Sequence, residues 1–251
     1  MAPDKVLVDR RGPVTVLTLN RPDVHNCVDA ETADLLTEAI EAFASDDEAR
    51  VMVVTGAGGR AFCSGADLKG VEELMRRPSA MKHAPLGFSN LEPAKPRIAA
   101  VEGYCIGGGI ELACWCDFTI AGEGSVWGAL NRRSGVPWVD GGTQRMTRRI
   151  GIGDALYLME TGERVDARRA LEMGLVQEVV PDGESLPRAV ELAERMAAYP
   201  QQSLLADREA ALATFGLPLD EGLAFEARVG HPTAYTEEFT EGVRRFVDRT
   251  D

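Results

Sequence analysis

Apolar positions along this chain change their spacing several times, and each change marks an element. Val6-Leu7-Val8 and Val14-Thr15-Val16-Leu17-Thr18-Leu19 are β-rich runs on either side of Arg11-Gly12-Pro13, which predicts a hairpin. Ala33, Leu36, Ile40 and Phe43 then recur at helical spacing, with Asp29 as the predicted N-cap and Asp46-Asp47-Glu48 closing the segment. Val51-Met52-Val53-Val54 and Ile98-Ala99-Ala100-Val101 are continuous apolar runs that read as buried strands. Strand–turn–helix units follow from Val51 to about Met75 and from Ile98 to Trp115. Phe118–Ala121 and Ser125–Trp127 are short strand candidates, helices are expected near Asp154–Thr161 and Ala167–Met173, and Leu175–Val180 reads as a last strand stopped by Pro181-Asp182-Gly183.

Repeated units of this kind imply right-handed crossovers and a layered α/β fold. From about Glu184 the pattern turns helical. Ala189, Val190, Ala193, Met196 and Ala197 share one face, Pro200 ends that helix, and two or three amphipathic helices fill the remainder. The expected division is a core over 1–195 and a helical region over 196–251 that packs on its own core or docks on a neighbouring subunit. Segment 71–97 has no clear period and is expected to be a mobile loop with a short helix over a ligand site.

The two buried strands lead into glycine-containing turns, Phe62-Cys63-Ser64-Gly65-Ala66-Asp67-Leu68 and Tyr104-Cys105-Ile106-Gly107-Gly108-Gly109-Ile110-Glu111-Leu112. Glycine permits positive φ and close approach of the main chain to a ligand. One N–H from each turn, aimed at the same carbonyl oxygen, would make an oxyanion hole, often the largest electrostatic contribution in acyl chemistry. Gly108 falls at a predicted helix N-terminus, whose partial positive charge favours an oxyanion. Glu111 follows three residues later.

Composition narrows the partners. The 251 residues carry 40 acids against 27 bases, a net charge of −13, which argues against nucleic acid and against an anionic membrane surface. A small anionic ligand stays compatible, because local Lys and Arg can bind phosphates. The five cysteines (27, 63, 105, 114 and 116) are odd in number and irregularly spaced, as expected of reduced core thiols in a cytoplasmic protein. No apolar run approaches the ~20 residues of a membrane span, and Met1-Ala2-Pro3-Asp4-Lys5 has no apolar signal region. His25, His83 and His231 are scattered, lack triad or metal-ligand spacing, and are expected on the surface or in loops.

In order and at matching spacing, several segments resemble the crotonase, or enoyl-CoA hydratase/isomerase, superfamily over nearly the whole chain. They are Leu19-Asn20-Arg21-Pro22, Ala61 to Lys69, Gly103 to Ala113 with Cys116-Asp117, Gly141-Gly142-Thr143-Gln144-Arg145, Gly174-Leu175-Val176, Val179-Val180-Pro181, and Glu241-Gly242-Val243 through Phe246. The resemblance implies a spiral of repeated ββα units with a C-terminal helical trimerisation region, assembled as a homotrimer or homohexamer. It implies an acyl-CoA thioester as ligand, with the N–H groups of Ala66 and Gly108 on the thioester oxygen, and no metal or redox cofactor. Ser64, Gly65, Asp67, Leu68, Lys69 and Gly107 would border the substrate, Arg21 and His25 would serve the CoA moiety, and Phe246 and Arg249 match positions that reach a neighbouring subunit's CoA. The acyl chain would meet Trp138 and residues such as Met75, Met81 and Phe88.

The family's hydratases use two glutamates about twenty residues apart. Glu111 falls on the first position and Asn131 on the second. Asn orients water but does not transfer a proton as a carboxylate does, and loss of a general acid–base group typically costs ~10²- to 10⁴-fold. Asp140 is either a turn or helix-cap residue before Gly141-Gly142 or a displaced second carboxylate. The expected activity is that of a lyase, an enoyl-CoA hydratase of fatty-acid or related acyl-CoA metabolism. Another acyl-CoA reaction (hydrolysis, isomerisation, decarboxylation or retro-aldol cleavage) and a non-catalytic acyl-CoA binder stay open at this point.

Overall fold

The computed structural model describes residues 4–248, except for the side chains of residues 78 and 79. The chain divides into two compact units, with the boundary between Glu194 and Arg195.

In the first unit, β1 (Val6–Arg11) and β2 (Val14–Leu19) form the expected antiparallel hairpin, turning at Gly12 with φ 61°. Helix α1 (Ala30–Ser45) is capped as predicted, its Thr32 N–H donating to Asp29 Oδ1 at 2.9 Å. Three strand pairs follow: β3 (Val51–Gly56) with β4 (Ala61–Cys63), β5 (Arg97–Val101) with β6 (Tyr104–Ile106), and β7 (Phe118–Gly122) with β8 (Val126–Gly128). Between the first two pairs lie α2 (Val71–Arg76) and α3 (Pro78–His83), and α4 (Gly108–Trp115) separates the second from the third. Then come α5 (Gly142–Thr161), β9 (Arg164–Asp166), α6 (Ala167–Met173), β10 (Glu178–Val180) and α7 (Ser185–Ala197), which ends in the second unit.

The first strand of each pair enters a six-stranded sheet in the order β1-β2-β3-β5-β7-β10, parallel except for the hairpin. The second strand enters a four-stranded sheet in the order β4-β6-β8-β9. Each pair therefore advances both sheets by one strand, which is the crotonase-like spiral of ββα units. The apolar runs at β3 and β5 are wholly buried, as their lack of alternation predicts.

Several elements differ from the expectations. β4, β6 and β9 are three residues long, too short to show a period, and were not expected. α5 begins at Gly142, well before Asp154, and carries a break at Gly151 (φ 78°) that splits its apolar pattern. Strand pairing at 175–180 is confined to Glu178–Val180, although Leu175 and Val176 are buried. Segment 71–97 forms two short helices and a largely buried connection rather than a loose loop, with Leu74, Arg77, Leu86 and Phe88 all enclosed. His83, the last residue of α3, is buried there too, its Nε2 3.8 Å from Glu41, against the expectation of a surface or loop position.

The second unit comprises α8 (Gln201–Ala213), α9 (Leu219–Gly230), a 3-10 turn (His231–Tyr235) and α10 (Glu237–Val247), which pack on one another. Leu219, Leu223, Tyr235, Phe239, Phe246 and Val247 are exposed on it.

Gly109 is the tightest joint between α4 and the small sheet, since an added Cβ would collide with the Cys63 carbonyl of β4. Neither partner is a flexible side chain. Gly109→Ala is expected to destabilise the protein by about 2 kcal/mol or more and to lower the calorimetric melting temperature by about 4–8 °C. An unchanged transition would show that this helix–strand approach is not constrained.

Candidate active site

The two glycine turns meet. A Cβ placed on Gly65 (φ 88°) would lie 2.7 Å from the Gly108 nitrogen, and one on Gly108 would lie 2.9 Å from Gly65 Cα and 3.7 Å from the Ala66 nitrogen. Side chains at either position would push the turns apart. Val28 sets the direction of the first turn, donating to the Gly65 carbonyl and accepting from the Asp67 N–H, both at 2.8 Å. On an extended backbone that alternation turns the N–H of Ala66 to the opposite side. Gly107, at φ 55° and ψ −118°, turns the chain into α4 and leaves Gly108 as its first residue. Among the described residues, neither the Ala66 nor the Gly108 N–H has a protein acceptor. Two free donors on adjacent turns, one of them at a helix N-terminus, are suited to an oxygen that gains negative charge.

These donors border a cavity of about 180 Å³. Of the residues expected at the site, the cavity lining brings together Ser64, Ala66, Leu68, Gly107, Gly108, Glu111, Asn131, Trp138 and Asp140. Met75 also lines it, whereas Met81 projects outward at 91 % exposure and Phe88 is buried against Trp115. Sequence reasoning missed Pro85 and Leu86, from the patternless segment, and Leu130, Val136 and Val139. Their only signal is the apolar character of the stretch around Pro137-Trp138.

The remaining expected residues lie elsewhere. Arg21 contacts Asp67 at 3.0 Å, Asp29 at 3.1 Å and the Cys27 carbonyl at 2.6 Å, so its guanidinium braces the first turn. His25 packs edge-on against Tyr104, and the exposed Lys69 donates its main-chain N–H to Asp67. Phe246 belongs to the second unit, where it lines a shallow hollow with Phe239 and Val243. Arg249 lies outside the described residues.

Glu111, one turn into α4, is only 3 % exposed. Its Oε1 accepts the main-chain N–H groups of Asp140 at 2.9 Å and Gly142 at 3.0 Å. Gly142 permits this approach, because a Cβ there would lie 2.8 Å from both Glu111 Cγ and the Trp138 ring. Asp140 does not cap α5 with its side chain but is buried in the cavity wall, its Oδ1 accepting the Leu86 N–H at 2.9 Å. Asn131 ties the intervening turn by donating Nδ2 to the Val136 carbonyl at 2.8 Å. Its buried Oδ1 has no protein partner among the described residues.

Both carboxyls resist ionisation. Burial, reinforced by the charge of Asp140, pushes Glu111 up to about 8, against the pull of its two N–H donors and Arg145. Burial pushes Asp140 up to about 6, against the Leu86 N–H, Arg77 and Arg145. The two carboxyls therefore differ in proton affinity, Glu111 holding its proton to higher pH than Asp140. The neighbouring thiols are not candidates for nucleophiles, since burial pushes Cys63 up to about 12 and also raises Cys114.

The chain is similar to known proteins over nearly its whole length. The sequence profile of the enoyl-CoA hydratase/isomerase family matches residues 9–251. The chain is 37 % identical over 243 residues, 96 % of its length and 87 % of the relative's, to a protein of Dictyostelium discoideum named a probable mitochondrial enoyl-CoA hydratase. It is 35 % identical to the 2,3-dehydroadipyl-CoA hydratase of Escherichia coli K12, over 98 % of this chain and 96 % of that one. The crystal structure of enoyl-CoA hydratase EchA1 from Mycobacterium marinum superposes with a TM-score of 0.91 at 33 % identity, covering 97 % of this chain and 96 % of the other.

A carboxyl whose folded pKa is raised contributes stability below its unfolded pKa and loses it as pH rises through the folded value. For Glu111 that window runs from about 4.5 to about 8. Glu111→Gln keeps an oxygen for both N–H donors and removes the ionisation. The unfolding free energy of the wild type is expected to fall relative to that of Glu111→Gln as pH is raised from 5 to 9, by on the order of a few kcal/mol, read by denaturant unfolding at each pH. A difference that does not change with pH would contradict the raised pKa.

Proposed function

The chain belongs to the enoyl-CoA hydratase/isomerase family, and from that premise we propose that it adds water across the 2,3 double bond of an enoyl-CoA, with Asp140 in place of the missing second glutamate. The observation that carries this reading is the pairing at one cavity of two carboxyls with different proton affinities beside two unpaired main-chain donors.

The Ala66 and Gly108 N–H groups bind the thioester oxygen and polarise the conjugated system, so that C3 becomes electrophilic. Asp140, charged at neutral pH, takes a proton from water as its oxygen bonds to C3. Electrons move through C2 onto the thioester oxygen, where the enolate is stabilised. Glu111, protonated at neutral pH, delivers its proton to C2 and restores the carbonyl. One water enters and a 3-hydroxyacyl-CoA leaves, and the proton held by Asp140 returns to Glu111 through solvent. The unpaired Oδ1 of Asn131 suits a role in holding the water. This sequence of steps calls for no metal or redox cofactor.

The apolar lining supplied by Leu86, Leu130, Val136 and Trp138 supports an uncharged acyl chain. The exposed apolar side chains on α9 and α10 support assembly through the second unit into a homotrimer or homohexamer. Free buried cysteines support a reducing compartment, the cytoplasm. Among the described residues no helix is long and apolar enough to cross a membrane.

Hydration of crotonyl-CoA, followed by loss of the enoyl-thioester absorbance, tests the reading. kcat/KM is expected to be bell-shaped, with limbs near about 6 and about 8. Asp140→Asn should lower kcat by ~10²- to 10⁴-fold and abolish the acidic limb. Full activity of Asp140→Asn would assign both proton transfers to Glu111 with a water held by Asn131. Inertness of the wild type towards crotonyl-CoA and longer and branched enoyl-CoAs would end the hydratase reading.

A further inference from the structure

Asp140 is fixed from outside the glycine turns. Its one side-chain donor among the described residues is the Leu86 N–H, and Leu86 sits in a strap, residues 84–87, anchored to α1 on both sides. On one side is Arg77, 8 % exposed and outside the cavity lining. Its Nη2 donates to the Pro85 carbonyl at 2.6 Å and the Ala84 carbonyl at 3.3 Å, while Nη1 donates to Asp34 at 2.5 Å and the Ala30 carbonyl at 3.3 Å. On the other side, Thr37 Oγ1 of α1 donates to the Gly87 carbonyl at 2.7 Å.

The strap does not owe its shape to local preference. Ala84 has φ 65° and ψ 164°, a conformation that L-residues rarely adopt and that persists only where the surroundings impose it. A planar guanidinium bridging two consecutive carbonyls on one side and a helix on the other imposes it here. Leu86 then serves the site twice. Its N–H meets Asp140, and its side chain packs on the oxyanion turn, with Leu86 Cδ1 2.5 Å from where a Gly108 Cβ would be.

We infer that Arg77 is a positioning residue for the reaction, which aims the Leu86 N–H through the 84–87 strap and so fixes Asp140 beside Glu111. The inference rests on the reading of Asp140 as the base. The charged groups facing Asp140 are Arg77, Arg145 from α5 and Glu111 from α4, with Asp34 paired to Arg77 and Glu92 to Arg145.

The test is a double-mutant cycle on crotonyl-CoA hydration, with full pH profiles. Arg77→Met is expected to lower kcat by about 10²-fold, as misplacement of a catalytic group does, and to move the acidic limb upward because a cation beside Asp140 is lost. Arg77→Lys keeps the charge without the fork, so it should lower kcat while leaving the limb in place. In an Asp140→Asn background, Arg77→Met should cost less than about threefold more, because coupled sites are not additive. Should Arg77→Met fail to fold, Arg77→Lys and Asp34→Asn complete the same cycle. Equal losses in both backgrounds, or an effect on KM alone, would overturn the inference while leaving Asp140 as the base. An unimpaired Asp140→Asn, or a wild type inert towards every enoyl-CoA, would remove the reading beneath it and the inference with it.

Discussion

The two main-chain hydrogen bonds from Asp140 and Gly142 to Glu111 hold the candidate site together. They join the first turn of α4, which carries the Gly108 N–H, to the turn that opens α5 and carries Asp140. A buried carboxyl needs such partners, because an unsatisfied polar group in this environment costs about 1–3 kcal/mol. Glycine at position 142 allows the approach, and the Trp138 ring closes over it. Burial raises both carboxyls, and their unequal surroundings separate them, as the proposed acid–base pairing needs.

The surrounding architecture serves that contact. The spiral advances two sheets together, so consecutive units deliver Gly65 and Gly108 to neighbouring positions from β4 and β6. Close backbone approach at Gly65, Gly108 and Gly109 locks the turns against each other. Arginines brace the periphery: Arg21 holds the first turn through Asp67, Arg77 holds the 84–87 strap, and Arg145 ties α5 to Ser89 and Glu92. An acidic protein thus concentrates several of its cations where main-chain carbonyls and carboxylates converge around one cavity.

Much of this was legible in the sequence, for identifiable reasons. The hairpin, the Asp29 cap, β3, β5 and the helix starting at Gly108 each carry a strong local signal, in β-branched runs, capping chemistry or glycine. Glu111 was legible from its offset to Gly108. The strands β4, β6 and β9 were not, since so short a run shows no period. The 71–97 segment was opaque because it is buried through the hydrogen bonds of Arg77 and Arg145 and through isolated residues such as Leu74 and Phe88, not through an amphipathic face. The role of Asp140 was ambiguous because Asp before Gly-Gly also suits a cap. Its side chain does not cap α5 and is instead held by the Leu86 N–H, 54 positions earlier in the chain.

The proposed steps need Glu111 protonated and Asp140 ionised at neutral pH. Infrared difference spectroscopy of the wild type against Glu111→Gln at pH 7 tests this most directly. The expected result is a protonated carboxyl band in the wild type that titrates near about 8, is absent from Glu111→Gln, and titrates lower in Asp140→Asn, where the neighbouring charge is gone. A carboxylate band from Glu111 at pH 7, with no protonated carboxyl lost on the substitution, would contradict it.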